Sequence, residues 1–369
     1  METRLGFNHS DHNLFLDAHL KVGMVTVFCY DWPHIYLQGG VFCVEVEALM
    51  HMLLGEDLGV PTMHVYLQRW QWPGGYATAR AICATGAVAG SISEHASLAP
   101  VLEKYLVDVV IPKGVFPAAC QSMLALIKVL SLLQRCQAAQ KPTPQELHNA
   151  IFDHLRKHKA VYGARLWIPK HNFSTHLPDF LGKFGTLMNS LVLERKHKNV
   201  KLALHDRNTM KSYERSVMED LVVMQLGALS HPLVSSSLAK PRAPSKKMAS
   251  ILHGVLGVAC GPLQQSSKCF VRNRAVKLRD VVCYEGNAGQ LCLGQVEFIC
   301  TAGENMYLCV NVWSFHDRPR DSIVRYAVRD APLLLCSSFV QESMVFYKAS
   351  LGEISQVLVS PHLRARVFG

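Results

Sequence analysis

Leu193–Lys201, LERKHKNVK, places one acid, Glu194, in a helix-like segment crowded with cations: Arg195, Lys196, His197, Lys198 and Lys201. A carboxylate ringed by positive charge suits a metal-binding acid working beside a polyanion. A partner for it lies far upstream. Met24–Tyr30, MVTVFCY, is an apolar, β-branched and aromatic run that reads as a strand and ends on Asp31, followed by Trp32, Pro33 and His34. An acid closing a strand and an acid on a later basic helix make a pair of hard-metal ligands for divalent ions. The plainer reading of the same residues is a helix-capping Asp31 and a solvated Glu–Lys face around Glu194.

Working outward, composition sets the limits. The chain has 369 residues, 49% of them hydrophobic, enough for two or three domains with real cores. Even the most apolar stretch, Ala118–Leu133, is broken by Gln121, Ser122, Lys128 and Ser131, so no run is expected to reach the length of a membrane span. The opening METRLGFNHSDHN is polar and carries no signal-peptide core. Twelve cysteines are scattered without CxxC pairs, which points away from zinc ribbons and disulfide frameworks and toward reduced thiols in a nuclear or cytoplasmic protein.

The net charge of +10 is unevenly placed. Positions 156–215 hold 13 Lys/Arg against 4 Asp/Glu, a local excess of 9. Charge concentrated in this way marks a polyanion partner, most simply nucleic-acid phosphate, with a solubilising basic helix face as the bland alternative.

Three textures follow one another along the chain. Residues 1–112 mix the strand with helices; Gly39-Gly40 marks a turn, and Val41–Leu54 keeps apolar residues on one helical face. Trp70, Trp72, Pro73 and Gly74-Gly75 read as a loop, and Ala77–Ala89 is helix-prone. From 113 to 229 the pattern is helical. Ala118–Ala139 is a long buried-type helix stopped by Lys141-Pro142-Thr143-Pro144. Thr143 is positioned to cap the next helix, Pro144–Lys159, with Glu146 at the capping-box position. That helix is expected to carry His148, Phe152 and Leu155 on one side and Arg156, Lys157 and Lys159 near its end. Asn208–Leu226 reads as another amphipathic helix. Ser235–Lys247, SSSLAKPRAPSKK, has no apolar period and reads as a linker.

Beyond the linker the texture turns to β. Asp280–Tyr284, Leu291–Cys300, Met306–Trp313, Arg325–Val328 and Ser343–Tyr347 are short runs rich in Val, Tyr, Phe and Cys. Gly286–Gly289, Ala302–Asn305 and Arg318–Asp321 divide them as turns. Five such strands predict a small antiparallel barrel, of SH3-like or bromo-adjacent-homology type. The expected domains are 1–234, a linker over 235–267, and a β-rich barrel over 268–369.

Other chemistry finds no motif. His171 and His176 are five apart, without the i, i+4 spacing and Glu of a metallopeptidase helix, and read as framework histidines. No phosphate-binding glycine loop or GxSxG elbow occurs, and among 12 Cys and 18 His nothing selects a catalytic pair.

Two longer blocks carry a resemblance. YDWPHIYLQGGVFCVEVEALM (30–50) resembles the D-x-x-H segment of large eukaryotic cut-and-paste transposases of the DDE type. PKHNFSTHLPDFLGKFGTLMNSLVLERKHKNVKLAL (169–204) is similar to their later block, PKxHxxxHxPxxxxxFGPLxxxxxxxFERKHKxxK. The order matches, 163 positions separate Asp31 from Glu194, and the similarity covers about Leu5 to Leu226. The nearest form is the transposon-derived reading frame repeated in dinoflagellate genomes. The resemblance implies an α+β protein. Its N-terminal two-thirds would be mainly helical, an RNase H-like core with a helical insertion, followed by the β-barrel.

It also implies roles. Asp31 and Glu194 would be the second and third acids of a catalytic triad holding two Mg²⁺ or Mn²⁺ ions that activate an oxygen nucleophile for attack on a phosphodiester. Arg195, Lys196, Lys198 and Lys201 would meet DNA phosphates, with His34 and His197 as accessory groups. The pattern departs at the first acid. The aspartates before Asp31 are Asp11 and Asp17, and neither ends a convincing strand. The expectation is therefore an N-terminally truncated, incomplete core: a degenerate or domesticated transposase derivative that retains DNA binding, with a homo-oligomer left open and no membrane role. A non-enzymatic DNA or chromatin interaction protein, or an expressed transposon relic, is the alternative.

Overall fold

The computed structural model describes residues 30–72, 90–136, 141–189, 219, 222–223, 226, 236–256, 262–271, 274–285, 291–320, 323–336, 340–348 and 354–358. The chain divides into two compact units, Met1–Leu67 with Thr78–Leu193, and Gln68–Ala77 with Glu194–Gly369. The described parts of the first are helical and those of the second mainly antiparallel β, so the protein is α+β. The strand expected over Met24–Tyr30, apart from Tyr30 itself, lies outside the described residues. So do the helix-prone run from Ala77 to Ala89 and most of Asn208–Leu226.

In the first unit, α1 (Trp32–Tyr36) turns through Gly39-Gly40 into α2 (Val41–Leu54), whose bounds match the sequence reading. The turn needs glycine. Gly39 is left-handed (φ +52°), and a Cβ on Gly40 would fall 2.2 Å from the Ile35 carbonyl oxygen. Next come α3 (Val60–Gln68) and α4 (Ile92–Tyr105). Ser91 and Glu94 close a reciprocal capping box at the start of α4, satisfying amide donors the helix cannot.

A long hairpin forms the core. In α5 (Pro117–Arg135) the residues Cys120, Met123, Leu126, Leu130 and Leu133 are buried, and in α6 (Pro144–Tyr162) Leu147, Ile151 and Leu155 are buried, where the two helices pack together. Burial of each such side chain is worth about 1.5–3 kcal/mol. Thr143 caps α6 as expected, its hydroxyl accepting from the Glu146 amide at 3.0 Å. The face of α6 departs from the reading. His148 and Phe152 are exposed and stack on each other at 4.3 Å, while His154 and His158 join Leu155 inside. Two short helices, α7 (Pro169–Ser174) and α8 (Leu177–Phe184), complete the described part.

By length and composition Trp32–Leu54 and Pro117–Arg135 are apolar enough to cross a membrane, which corrects the expectation that no run reaches that length. Of these windows 56% and 61% is buried within the fold, as in core helices of a globular unit.

In the second unit, the segment read as a linker contains a two-residue strand, β1 (Ser237–Leu238), and runs into a helix, α9 (Lys246–Leu256). β1 pairs with β3 (Lys268–Val271), and β3 with β4 (Arg274–Lys277). The larger sheet contains β2 (Leu263–Gln265), β5 (Val281–Glu285), β6 (Leu291–Ala302), β7 (Asn305–Arg320), β8 (Ile323–Cys336), β9 (Val340–Lys348) and β10 (Ile354–Leu358). Its pairings run β6–β5–β9–β10–β8–β7, with β7 also pairing β6; all are antiparallel. All five expected strands are present, and four of them are longer than read: β7 continues through 318–320, where a turn was expected. Val282, Tyr284, Val296, Ile299, Leu308, Val310 and Val340 form the core. At Gly294 a Cβ would meet the Val310 side chain at 2.9 Å, so glycine lets β6 and β7 approach there.

Candidate functional site

Asp31 takes the N-cap position of α1, yet its side chain makes no cap hydrogen bond. Its carboxylate instead pairs with Nδ1 of His34, one turn along. The capping alternative thus holds for the position and fails for the hydrogen bond. Pro33 at the start of the helix fixes the turn that brings His34 back toward Asp31.

The neighbouring Tyr30 ties this turn to a distant segment. Its ring stacks on Phe173 at 5.2 Å and on His176 at 5.4 Å, and meets Phe180 edge-on at 5.7 Å. Lys170 donates to the carbonyls of Gln38 and Gly39 at 2.7 and 3.1 Å, and its half-burial lowers its pKa. The first block and the N-terminal half of the second are therefore packed together, although 132 positions separate Lys170 from Gln38. Glu194, Arg195, Lys196, His197, Lys198 and Lys201 lie outside the described residues.

Of the described cations in the basic stretch, Arg156 and Lys157 both reach Asp153, at 3.3 and 2.6 Å, and the Lys157 hydrogen bond holds that carboxyl below its usual range. Lys159, Arg165 and Lys183 are exposed.

A second polar group, missed in the sequence, lies inside the helical unit. Glu45 of α2, His154 and His158 of α6, and His171 of α7 are each fully buried. His154 Nε2 donates to the Glu45 carboxylate at 2.7 Å, and His171 Nδ1 accepts the Ile168 amide at 3.0 Å. The His158 ring lies 4.5 Å from that of His171 and 5.8 Å from that of His154, centroid to centroid, and Trp167 stacks on His171 at 4.7 Å. Glu45 Oε1, His154 Nδ1, both His158 nitrogens and His171 Nε2 have no hydrogen-bond partner among the described residues. Burial pushes His171 down to about 4 and holds His158 below the usual imidazole range. Both rings are therefore neutral at pH 7. The available signal was the i, i+4 spacing of His154 and His158 on the apolar face of Leu147, Ile151 and Leu155. The two framework histidines part company: His171 is buried here, while His176 is exposed beside Tyr30.

The structure also pairs a cysteine with a histidine. Cys43 Sγ lies 3.6 Å from His95 Nδ1, and both groups reach the Leu37 carbonyl, at 3.2 and 2.6 Å. Burial alone would raise the thiol pKa; the His95 hydrogen bond and charge outweigh it, so Cys43 is lowered and His95 raised. With 8% and 3% exposure the pair is packed into the turn, tying α2 and α4 to the end of α1. The nine described cysteines are all free.

Among the described residues no three His, Cys, Asp or Glu side chains form a group that could hold a metal ion. Asp31 brings one carboxylate with a nitrogen base against it, whereas Mg²⁺ requires a near-octahedral set of oxygens. These residues by themselves do not fit the expected ion, and no chemical step is drawn through it. Compared with known proteins, the chain matches no family model and no curated sequence.

Proposed function

We propose that the chain is a transposase-derived nucleic-acid-binding protein, catalytically degenerate, with the remnant of a metal-dependent phosphodiester-transfer site. One observation carries this reading: the D-x-x-H block and the start of the later block meet in one packed site, through Tyr30 against Phe173 and His176 and through Lys170 on the Gln38 and Gly39 carbonyls. Glu194 follows His176 by 18 positions in the chain. In this reading the helices between the blocks are an insertion into an RNase H-like core. The ring of strand pairings from β6 round to β7 is a small barrel.

The roles follow from charge. Arg195, Lys196, Lys198 and Lys201 contact phosphates of DNA, where the excess of 9 positive charges over 156–215 supplies affinity without base recognition. Asp31 and Glu194 are the surviving acids, His34 orients Asp31, and His197 adds a donor nearby. The engagement of Asp31 by His34 favours a second reading, a non-enzymatic DNA or chromatin interaction protein, because a carboxylate committed to an imidazole is less available to a cation.

The test is binding to a non-specific DNA duplex, followed by fluorescence anisotropy across salt. Five to nine neutralised phosphates give a log–log slope of about −4 to −8, and replacing Lys196, Lys198 and Lys201 together with Gln flattens it. A slope unchanged by the triple substitution would reduce this segment to a solvated basic face.

A further inference from the structure

We propose that Glu45, His154, His158 and His171 form a proton-operated latch that holds the α7–α8 segment against α6 at neutral pH and releases it in mild acid. Four fully buried ionisable side chains from three helices converge, and five of their polar atoms have no partner among the described residues. Unsatisfied buried polar atoms are costly, so such a group is retained against a purely apolar alternative.

The surroundings decide what a proton would do. α2 contributes Glu45, α5 contributes Cys120, α6 contributes His154, His158 and Tyr162, and His171 comes from α7 with Trp167 just before it. Burial raises the Tyr162 phenol and the Cys120 thiol, so both stay neutral. Glu45 is then the one carboxylate among these groups, and its Oε2 is already engaged by His154. A proton on His158 or His171 finds only the Glu45 carboxylate, which it must share with His154. A second proton sets two cations 4.5 Å apart, ring centre to ring centre, in a low-dielectric core.

The seam opens where it is weakest. α7 has six residues and carries His171 at its third position. Moving α7 off α6 gives both imidazoles to water, exposes Trp167 and withdraws Lys170 from Gln38 and Gly39. The same proton therefore also separates the two sequence blocks.

Hydrogen exchange of the full-length protein, followed by mass spectrometry from pH 7.5 to 5.0 and corrected for intrinsic exchange, tests this. Peptides covering 165–184 gain exchange about tenfold per pH unit for each proton taken up, while peptides covering 121–133 of α5 stay protected. His171→Phe keeps a ring of similar size without nitrogens and removes the acid response of 165–184. His158→Gln is the second variant should the first fail to fold, and the wild-type measurement stands by itself. Protection of 165–184 that is unchanged to pH 5.0, or that is lost only together with 121–133, would overturn the latch. So would Zn²⁺ added at pH 7.5 that protects 165–184 and is reversed by EDTA, since the free nitrogens would then belong to a metal.

Discussion

Two polar pairs on α6 differ in what their loss should do, although their contacts are almost equally short. His154 meets Glu45 at 2.7 Å with both side chains fully buried; Lys157 meets Asp153 at 2.6 Å with both more than a third exposed. Removing Glu45 leaves the buried His154 Nε2 without its acceptor, so Glu45→Ala should cost about 1–3 kcal/mol in urea unfolding of the first unit. Water screens the exposed pair, and Asp153→Asn should cost no more than about 1 kcal/mol. Equal losses would show that burial does not govern these pairs. His171 gives the matching pH dependence. Its pKa is about 4 in the fold against an ordinary 6.5, so the unfolded chain binds the extra proton between those values. Stability is full above pH 6.5, falls by about 1.4 kcal/mol per unit as pH drops toward 4, and then levels. Thermal melts of the wild type and His171→Phe check the sign: the difference between them should change in the direction favouring Phe as pH falls from 7 to 5. The i, i+4 spacing of His154 and His158 reveals only half of the cluster, because Glu45 and His171 are brought together by chain reversal across 126 positions.

Local signals at helix ends were legible because the partners of a cap lie three residues apart. Thr143 and the turn at Gly39-Gly40 were readable, and the Ser91–Glu94 box could have been read by the same rule. Ser91→Ala should therefore cost about 1 kcal/mol and fray α4 at its first turn, seen as faster exchange at Glu94 and His95. Unchanged stability and exchange would show that packing of Ile92 and Leu98 alone fixes that end. Faces were less legible than ends. His148, Phe152 and Leu155 follow a helical period, but which side of α6 is inside depends on where α5 lies, and the structure turns Leu155 in and Phe152 out. Strand lengths failed for a related reason. β7 runs on through Arg318, Pro319 and Arg320 because β8 continues to pair with it at Arg320, and a partner strand can override the turn preference of a Pro-containing run. Ser237–Leu238 was read as linker because two residues carry no period, and their strand is defined wholly by Cys269 and Phe270 opposite.

For the molecule as a whole, charge and acid count make opposite demands, and that contrast separates binding from catalysis. Phosphate binding tolerates imprecise geometry, because 13 cations over positions 156–215 act through a summed field. Strand transfer requires acids held at fixed distances around metal ions. The two blocks were quotable from the sequence, but their contact through Tyr30, Phe173 and His176 was not, because 143 positions separate Tyr30 from Phe173; Glu194 lies outside the described residues. On the proposed DNA-binding reading Glu194 is a negative charge beside phosphates, and Glu194→Gln should leave duplex affinity unchanged or slightly raised. The same protein should not nick supercoiled plasmid in Mg²⁺ or Mn²⁺ above the background of a mock preparation. Wild type, Asp31→Asn and Glu194→Gln should be indistinguishable in that assay while all three retain duplex binding. Metal-dependent nicking by the wild type that both substitutions abolish would overturn the degenerate reading and establish a working two-acid nuclease core.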